Sequence, residues 1–354
     1  MCDTGSINMS LCNTTPYETL DVDSQTSDSY WIDSEASLEV VVIIDMFIQY
    51  GLCCAGGLAG MVGNLLSIVV LAHIGLANST EILLLSLSFC DLVFCACSFV
   101  KPAQVIAETV EPMLGKTFET MWIQYMQSVK VGASFCSNTH VLVIAVERFV
   151  AVFFPFYASR FLTAKTTPIL LVVCYMYVFV PVATFCETMF THAWVKDAAS
   201  NRTYAIVEYT RFYLDNYKTL EVFGRQVFNN VYLTTSVLIV AILSMAINFK
   251  LIYSKDRENL RKSGKSLKRN ERKLSKMLLA VCTCYVTLNI PNISMELFNS
   301  CVEVQYRSTQ LVMLFEHASD IFYTGNCAVN FVLYMTMSSK FSHSYKQLIC
   351  LKKK

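Results

Sequence analysis

Seven separate stretches of this chain are each long and apolar enough to cross a lipid bilayer. A spanning helix needs about 20 mostly apolar residues. Only 16% of the 354 residues are charged, whereas soluble domains have about a quarter. The apolar stretches lie at residues 42–72, 81–104, 121–153, 167–189, 228–253, 274–299 and 309–337. The sequence therefore predicts an all-α membrane protein with a seven-transmembrane helix bundle.

Charged residues are distributed unevenly along the chain. Residues 1–40 hold eight acids and no Lys or Arg, whereas residues 250–276 hold eleven Lys or Arg and three acids. Because positively charged loops stay in the cytoplasm, we expect residues 250–276 inside the cell and the N-terminus outside. The start of the chain lacks the pattern of a cleavable signal peptide. These features predict a multi-pass protein of the plasma membrane.

The segments that flank the bundle carry signals for covalent modification. Residues 1–40 are rich in Ser, Thr and Asp and are expected to form a disordered extracellular tail before the helical domain at 41–337. Residues 338–354 place apolar positions at helical spacing, which predicts a cytoplasmic amphipathic helix and tail on the lipid bilayer, with Cys350 as a palmitoylation site. Glycosylation sequons stand at Asn8, Asn13 and Asn201.

Polar residues inside the predicted helices occur in a distinctive order. They comprise Gly63-Asn64 in helix one, Asp91 in helix two, Glu147-Arg148-Phe149 and then Pro155-Phe156 after helix three, Pro291 in helix six, and Asn330 to Tyr334 and then Phe341 after helix seven. Over about residues 40–350 this set resembles the rhodopsin-like (class A) G-protein-coupled receptors. The resemblance implies a receptor that transmits an extracellular ligand signal to a heterotrimeric G protein and catalyses no reaction.

Several positions depart from the family pattern. Asn289 replaces the tryptophan before the helix-six proline, and Phe331 replaces the proline of the helix-seven motif. Helix four lacks its tryptophan, helix five lacks its proline, and no cysteine stands near Ile123 to bridge the second extracellular loop. This drift is similar to that of divergent invertebrate receptors, such as molluscan chemosensory receptors or FMRFamide-type peptide receptors.

The inner end of helix three carries the residues that the resemblance assigns to signalling. It implies that Arg148 pairs with Glu271 at rest and is released when helix six swings outward. The same resemblance gives coupling or switch roles to Glu147, Phe149, Pro155, Phe156, Asn330 and Tyr334. The alternative is that Arg148 only anchors the end of the helix, where a charged side chain can reach the membrane interface.

Asp91 lies in the middle of helix two and must be paired, hydrated or protonated there. The resemblance implies that Ser137, Asn326 and Asn330 converge on it around a sodium ion, and oxygen ligands suit a hard cation. The alternative is a hydrogen-bonded polar cluster without an ion. No other cofactor is expected.

Lys130 lies eighteen residues before Arg148, five turns along the same helix face and about 27 Å further out. The family binds ligands at that level, so the lysine favours a small acidic molecule or an acid-bearing peptide as the ligand. The alternative is a structural ion pair with Asp320, and the two are compatible if the ligand displaces the aspartate. Glu296, Glu316, Trp122 and Tyr323 are expected to line the same cavity.

Two other classes of protein remain to be weighed. A seven-span transporter or channel would need polar residues along a continuous path, whereas here they cluster at the outer third, the middle and the inner end. An intramembrane enzyme would need paired aspartates, metal ligands or a Ser/His arrangement at useful spacing, and none is apparent. Nothing in the sequence indicates nucleic-acid binding.

Overall fold

The computed structural model describes residue 40 and residues 43–157, 162–198, 200–259, 266–301 and 309–351, except for some side chains inside helices, most of them between residues 254 and 316. The described residues from 43 onward belong to one compact unit, Val41–Lys354. The tail at 1–39, with Asn8 and Asn13, lies outside the described residues.

The described residues form seven long helices, a C-terminal helix, a β-hairpin and a five-residue helix at Arg211–Asp215 that follows the hairpin. We label the long helices α1 (Ile43–Ile74), α2 (Ser79–Val110), α3 (Pro112–Phe153), α4 (Thr167–Met189), α5 (Tyr217–Gly224, Arg225–Thr235 and Ser236–Asn259), α6 (Ser266–Cys301) and α7 (Thr309–Met337), and the C-terminal helix α8 (Ser339–Leu351). Six of these, α1 to α6, contain stretches apolar enough to cross a membrane. The helix α7 packs against α1, α2 and α6, so the predicted seven-helix bundle is confirmed.

The helices α2 and α3 extend further outward than the apolar stretches predicted. At 42 residues, α3 is about 63 Å long, roughly twice the thickness of the hydrocarbon core. Extended backbone at Glu111, followed by Pro112 at the first position of α3, separates the two helices. The apolar stretches did not predict the outer parts of α2 and α3, because these parts are amphipathic rather than continuously apolar.

A β-hairpin between α4 and α5 was not predicted. Its strands β1 (Phe190–Lys196) and β2 (Thr203–Tyr209) are antiparallel, in register from Phe190 opposite Tyr209 to Lys196 opposite Thr203. Asn201 takes a left-handed backbone conformation, with φ of 58°, in the exposed turn. Asparagine tolerates that conformation better than most residues do. The enrichment of β-branched and aromatic residues over 203–209 is the signal that could have revealed the second strand of the hairpin.

The predicted amphipathic helix after the bundle is confirmed as α8. Phe341 is buried in the core cluster and makes edge-on ring contacts with Phe331 and Tyr334 of α7. These contacts hold the start of α8 against the inner end of the bundle. The side chain of Cys350, the expected palmitoylation site, lies outside the described residues.

Candidate functional site

An outer cavity of about 250 Å³ lies among α2, α3, α6 and α7. Its lining is mostly polar and comprises Phe94, Lys101, Gln127, Lys130, Val131, Ser134, Asn292, His317, Asp320 and Tyr323. Lys130 and Asp320 form the ion pair weighed above, with 2.7 Å between Nζ and Oδ2. The ammonium also lies 5.2 Å from the ring centroid of Phe94, a cation–π distance. The cavity is therefore charged, and its buried lysine is already neutralised.

The other predicted ligand residues divide into three groups. Tyr323 lines the cavity, and its hydroxyl donates to the carbonyl oxygen of Ser134 at 2.5 Å. Trp122 does not line it, because it lies eight residues before Lys130, about 12 Å further out along α3. There it is buried and stacks on Phe118, so its expected place in the cavity is corrected. The side chains of Glu296 and Glu316 lie outside the described residues.

Lys101 and His317 line the cavity but were missed in the sequence. Lys101 stands just before Pro102, inside a predicted apolar span, and a charged residue there is a functional signal. His317 bridges α7 to α1, with Nδ1 2.6 Å from Asp45 Oδ1 and Nε2 3.0 Å from Gln49 Nε2. Recognising these contacts required knowing which helices are neighbours.

A polar cluster around Asp91 lies between the outer cavity and the inner end of the bundle. The Asp91 side chain is fully buried, and its two oxygens accept hydrogen bonds from Ser137 Oγ and Asn330 Nδ2, each at 2.7 Å. These bonds join α2 to α3 and α7. Asn326 is buried, but no described hydrogen bond joins it to Asp91. The geometry satisfies the aspartate with neutral donors, and sodium binding there stays a prediction.

At the inner end of α3, Glu147 and Arg148 form a small network with Thr80 of α2, which we call the α2–α3 lock. Arg148 Nη2 lies 2.8 Å from Glu147 Oε1 and donates to Thr80 Oγ1 at 2.6 Å. Thr80 Oγ1 in turn donates to Glu147 Oε1 at 2.9 Å. All three side chains are largely buried. The expected partner Glu271 lies outside the residues whose side chains are described, so the Arg148–Glu271 pair stays a prediction.

The start of α2 connects the α2–α3 lock to two further helices. Asn78 caps α2, with its backbone N–H donating to Glu81 Oε2 at 3.2 Å. Ser79 Oγ accepts a hydrogen bond from Thr167 of α4 at 2.8 Å, and Glu81 pairs with Lys340 of α8 at 2.5 Å. Four consecutive residues, 78–81, thus join the inner ends of α2, α3, α4 and α8.

An inner cleft of about 840 Å³ opens beside the α2–α3 lock. Glu147, Arg148, Pro155 and Tyr334 line it, together with lysines of α5, α6 and α8. Phe156 lies just outside this lining and is 89% exposed, an unusual position for a large apolar side chain. Phe149 instead stacks on Phe153 along α3, with 4.5 Å between ring centroids. The cleft therefore combines a buried arginine, cationic walls and a nearby exposed aromatic side chain.

The hairpin is fastened non-covalently to one face of the outer part of α3. Ala205 of β2 accepts a hydrogen bond from Thr120 Oγ1 at 2.9 Å, and its N–H donates to Thr117 Oγ1 at 3.2 Å. Gln124 Oε1 lies 2.6 Å from His192 Nδ1 of β1. Further contacts join Glu111 to Arg202, Met113 to Ser200 and Lys116 to the ring of Tyr204. Cysteine is absent from residues 98–135 and 187–281, so no disulfide can link this part of α3 to the hairpin.

Comparison with known proteins agrees with this arrangement of helices. Residues 63–334 match the family described as 7 transmembrane receptor (rhodopsin family). The chain therefore belongs to the rhodopsin family of seven-transmembrane receptors, and it is a G-protein-coupled signalling receptor embedded in a membrane as a multi-pass protein. It is 25% identical over 309 residues to the somatostatin receptor type 4 of Rattus norvegicus, covering 86% of this chain and 72% of the relative.

We expect the double variant Thr117→Val and Thr120→Val to loosen the hairpin. Each lost hydrogen bond is worth about 1 kcal/mol, so amide exchange around Ala205 should accelerate roughly tenfold or more. Hydrogen–deuterium exchange of the purified protein measures this. Thr109→Val is the matched control, because the described hydrogen bond of the Thr109 hydroxyl goes to Ile106 within α2. Reductant should leave exchange in β2 unchanged, and faster exchange on reduction would contradict non-covalent fastening.

Proposed function

We propose that this receptor lies in the plasma membrane with its N-terminus outside and relays ligand binding in the outer cavity to a G protein at the inner cleft. The helix α3 supports this proposal, because it contributes a charged or polar side chain to each of the three sites, opposite partners on α2 and α7. It places Lys130 in the outer cavity, Ser137 on Asp91 and Arg148 in the α2–α3 lock. Movement of one helix can therefore alter all three sets of contacts together.

The relay works as a shift between two helix arrangements, because a ligand changes an equilibrium only by binding one state more tightly. In the resting state, Thr80 and Glu147 hold Arg148 against α2. Ligand binding at the outer end of α3 and α7 favours a second arrangement in which the α2–α3 lock opens. Arg148 then faces the inner cleft, where the G protein binds beside Pro155 and Phe156, while Asn330 and Tyr334 rearrange on α7.

The ligand is a small acidic molecule or a peptide, in keeping with the cationic side chains of the outer cavity. The relative from Rattus norvegicus is named as a receptor for somatostatin, which is compatible with a neuropeptide-like role, whereas the small cavity suits a chemosensory one. A panel of acidic metabolites, amino acids and amidated peptides would separate these roles. The transporter alternative gains no support, because the matching family and relative are receptors.

We expect Arg148→Ala to reduce nucleotide exchange on the G protein by at least about tenfold, since a charge-assisted contact contributes roughly 1.5–3 kcal/mol. The measurement is guanine-nucleotide binding by a panel of G proteins reconstituted with the purified receptor. Lys346→Ala is the matched control, because it removes an exposed cation from α8 away from the α2–α3 lock. Normal exchange by Arg148→Ala would rule out the proposed role of the arginine.

The proposed orientation can be tested at the hairpin. Asn201 is exposed in the turn between β1 and β2, and Thr203 completes its sequon, so an outer hairpin should carry a glycan there in addition to those expected at Asn8 and Asn13. A glycosidase should increase the gel mobility of the expressed receptor, and Asn201→Gln should remove part of that shift. If Asn201→Gln changes nothing while Asn8 and Asn13 variants do, the hairpin is not glycosylated.

A further inference from the structure

The outer cavity contains a second lysine that the ion pair does not neutralise. Lys130 is occupied by Asp320 and lies over Phe94, and its side chain is only 9% exposed. Lys101 also lines the cavity, from α2, and is half-buried. Among the residues whose side chains are described, no carboxylate forms an ion pair with its Nζ.

The backbone explains why Lys101 lies at this cavity. Pro102 has no N–H to donate. The next two backbone hydrogen bonds span three residues, as in a 3₁₀-helix: the Gln104 N–H donates to the Lys101 carbonyl, and the Val105 N–H donates to the Pro102 carbonyl. The regular part of α2 thus ends at Val100 and resumes at Ala103. The irregular turn between them presents Lys101 to the space shared with α3 and α7.

The charges on the described cavity wall do not cancel. Among the lining residues, Lys101 and Lys130 contribute two positive charges and Asp320 one negative charge. Asp45, which also acts on Lys101, is not a lining residue and lies 2.6 Å from His317 Nδ1. A half-buried ammonium is costly unless an anion accompanies it. Gln127 and Asn292 add amide groups that can donate hydrogen bonds to an anion between α2, α3 and α6.

We propose, on the basis of the receptor function proposed above, that Lys101 binds the carboxylate of a singly charged ligand and that the Lys130–Asp320 pair stays intact. This differs from displacement of Asp320, which would leave that carboxylate without its partner. The cavity of about 250 Å³ is at the small end of ligand sites. It suits a small carboxylic acid or the free C-terminus of a short peptide.

Thermal unfolding of the purified full-length receptor tests the assignment. The probes are butyrate, benzoate and 3-phenylpropionate, each compared with its amide, and a tetrapeptide with a free or amidated C-terminus. At least one carboxylate should raise the Tm of the unmodified receptor, and its amide should not. Stabilisation by the small acids indicates a free metabolite as the source of the carboxylate, whereas stabilisation by the free-acid peptide alone indicates a peptide terminus.

Variants separate Lys101 from the other cations. Lys101→Gln should weaken the apparent affinity for the stabilising carboxylate roughly tenfold or more, as expected for one charge-assisted hydrogen bond. Lys101→Arg should largely preserve it, and Lys218→Gln, which changes an exposed lysine of α5, should have no effect. The proposal is overturned if no carboxylate stabilises the receptor, if amides stabilise it equally, or if Lys101→Gln binds normally.

Nucleotide exchange on the G protein, measured on the same preparations, distinguishes this inference from the proposed function. The unmodified receptor and the control Lys218→Gln should both support ligand-independent exchange, because Lys218 lines neither the outer cavity nor the inner cleft. Exchange by the unmodified receptor together with unchanged carboxylate binding by Lys101→Gln would overturn only the role of Lys101. Absence of exchange with every G protein in the panel would instead contradict the receptor mechanism.

Discussion

The pairing of buried polar groups along α3 is the constraint on which the rest of the bundle depends. Charged side chains inside a membrane protein are costly unless they are paired or hydrogen-bonded. Here α3 pairs Lys130 with Asp320 of α7, donates from Ser137 to Asp91 of α2, and places Arg148 against Thr80 of α2. Each contact satisfies a buried group and also fixes α3 relative to a neighbouring helix, so signalling requires the members of the α2–α3 lock to exchange partners rather than simply lose them.

Much of this arrangement could be predicted from the sequence, because a bilayer allows few folds. The length of the apolar stretches predicted the seven helices, and apolar residues at helical spacing predicted α8. The rule that buried charges need partners suggested the Lys130–Asp320 pair. The α2–α3 lock was only half foreseen, since Glu147 and Arg148 were singled out but Thr80 was not. The Thr80 hydroxyl reaches Glu147 and Arg148 because the start of α2 lies beside α3, and no local sequence pattern indicates that.

Other features depend on tertiary contacts that no local pattern reports. Trp122 was assigned to the outer cavity, but the extended α3 carries it up to the level of the hairpin. Lys101 was overlooked because it sits in an apolar span, and its exposure to the cavity depends on the turn at Pro102. The hairpin was missed because its strands are short and its stability comes partly from Thr117 and Thr120 of α3.

Positions that depart from the family pattern have local contacts of their own. The hairpin is held by hydrogen bonds where a disulfide to α3 is impossible. In α4, which lacks tryptophan, the Tyr175 hydroxyl lies 2.7 Å from Ser86 Oγ, and Ser86 also contacts His140 of α3 at 2.8 Å. In α5, which lacks proline, the stretch Arg225–Thr235 is a wider π-helix. These regions have thus diverged in residues while keeping their helices connected.

If the α2–α3 lock holds Arg148 in the resting state, weakening it should raise the ligand-independent nucleotide exchange of Thr80 variants. Thr80→Val removes the hydroxyl that joins Arg148 and Glu147, whereas Thr80→Ser keeps it. Thr80→Val should show exchange several-fold above that of the unmodified receptor, and Thr80→Ser should show near-normal exchange. Equal exchange by Thr80→Val and the unmodified receptor, at matched surface expression, would contradict it.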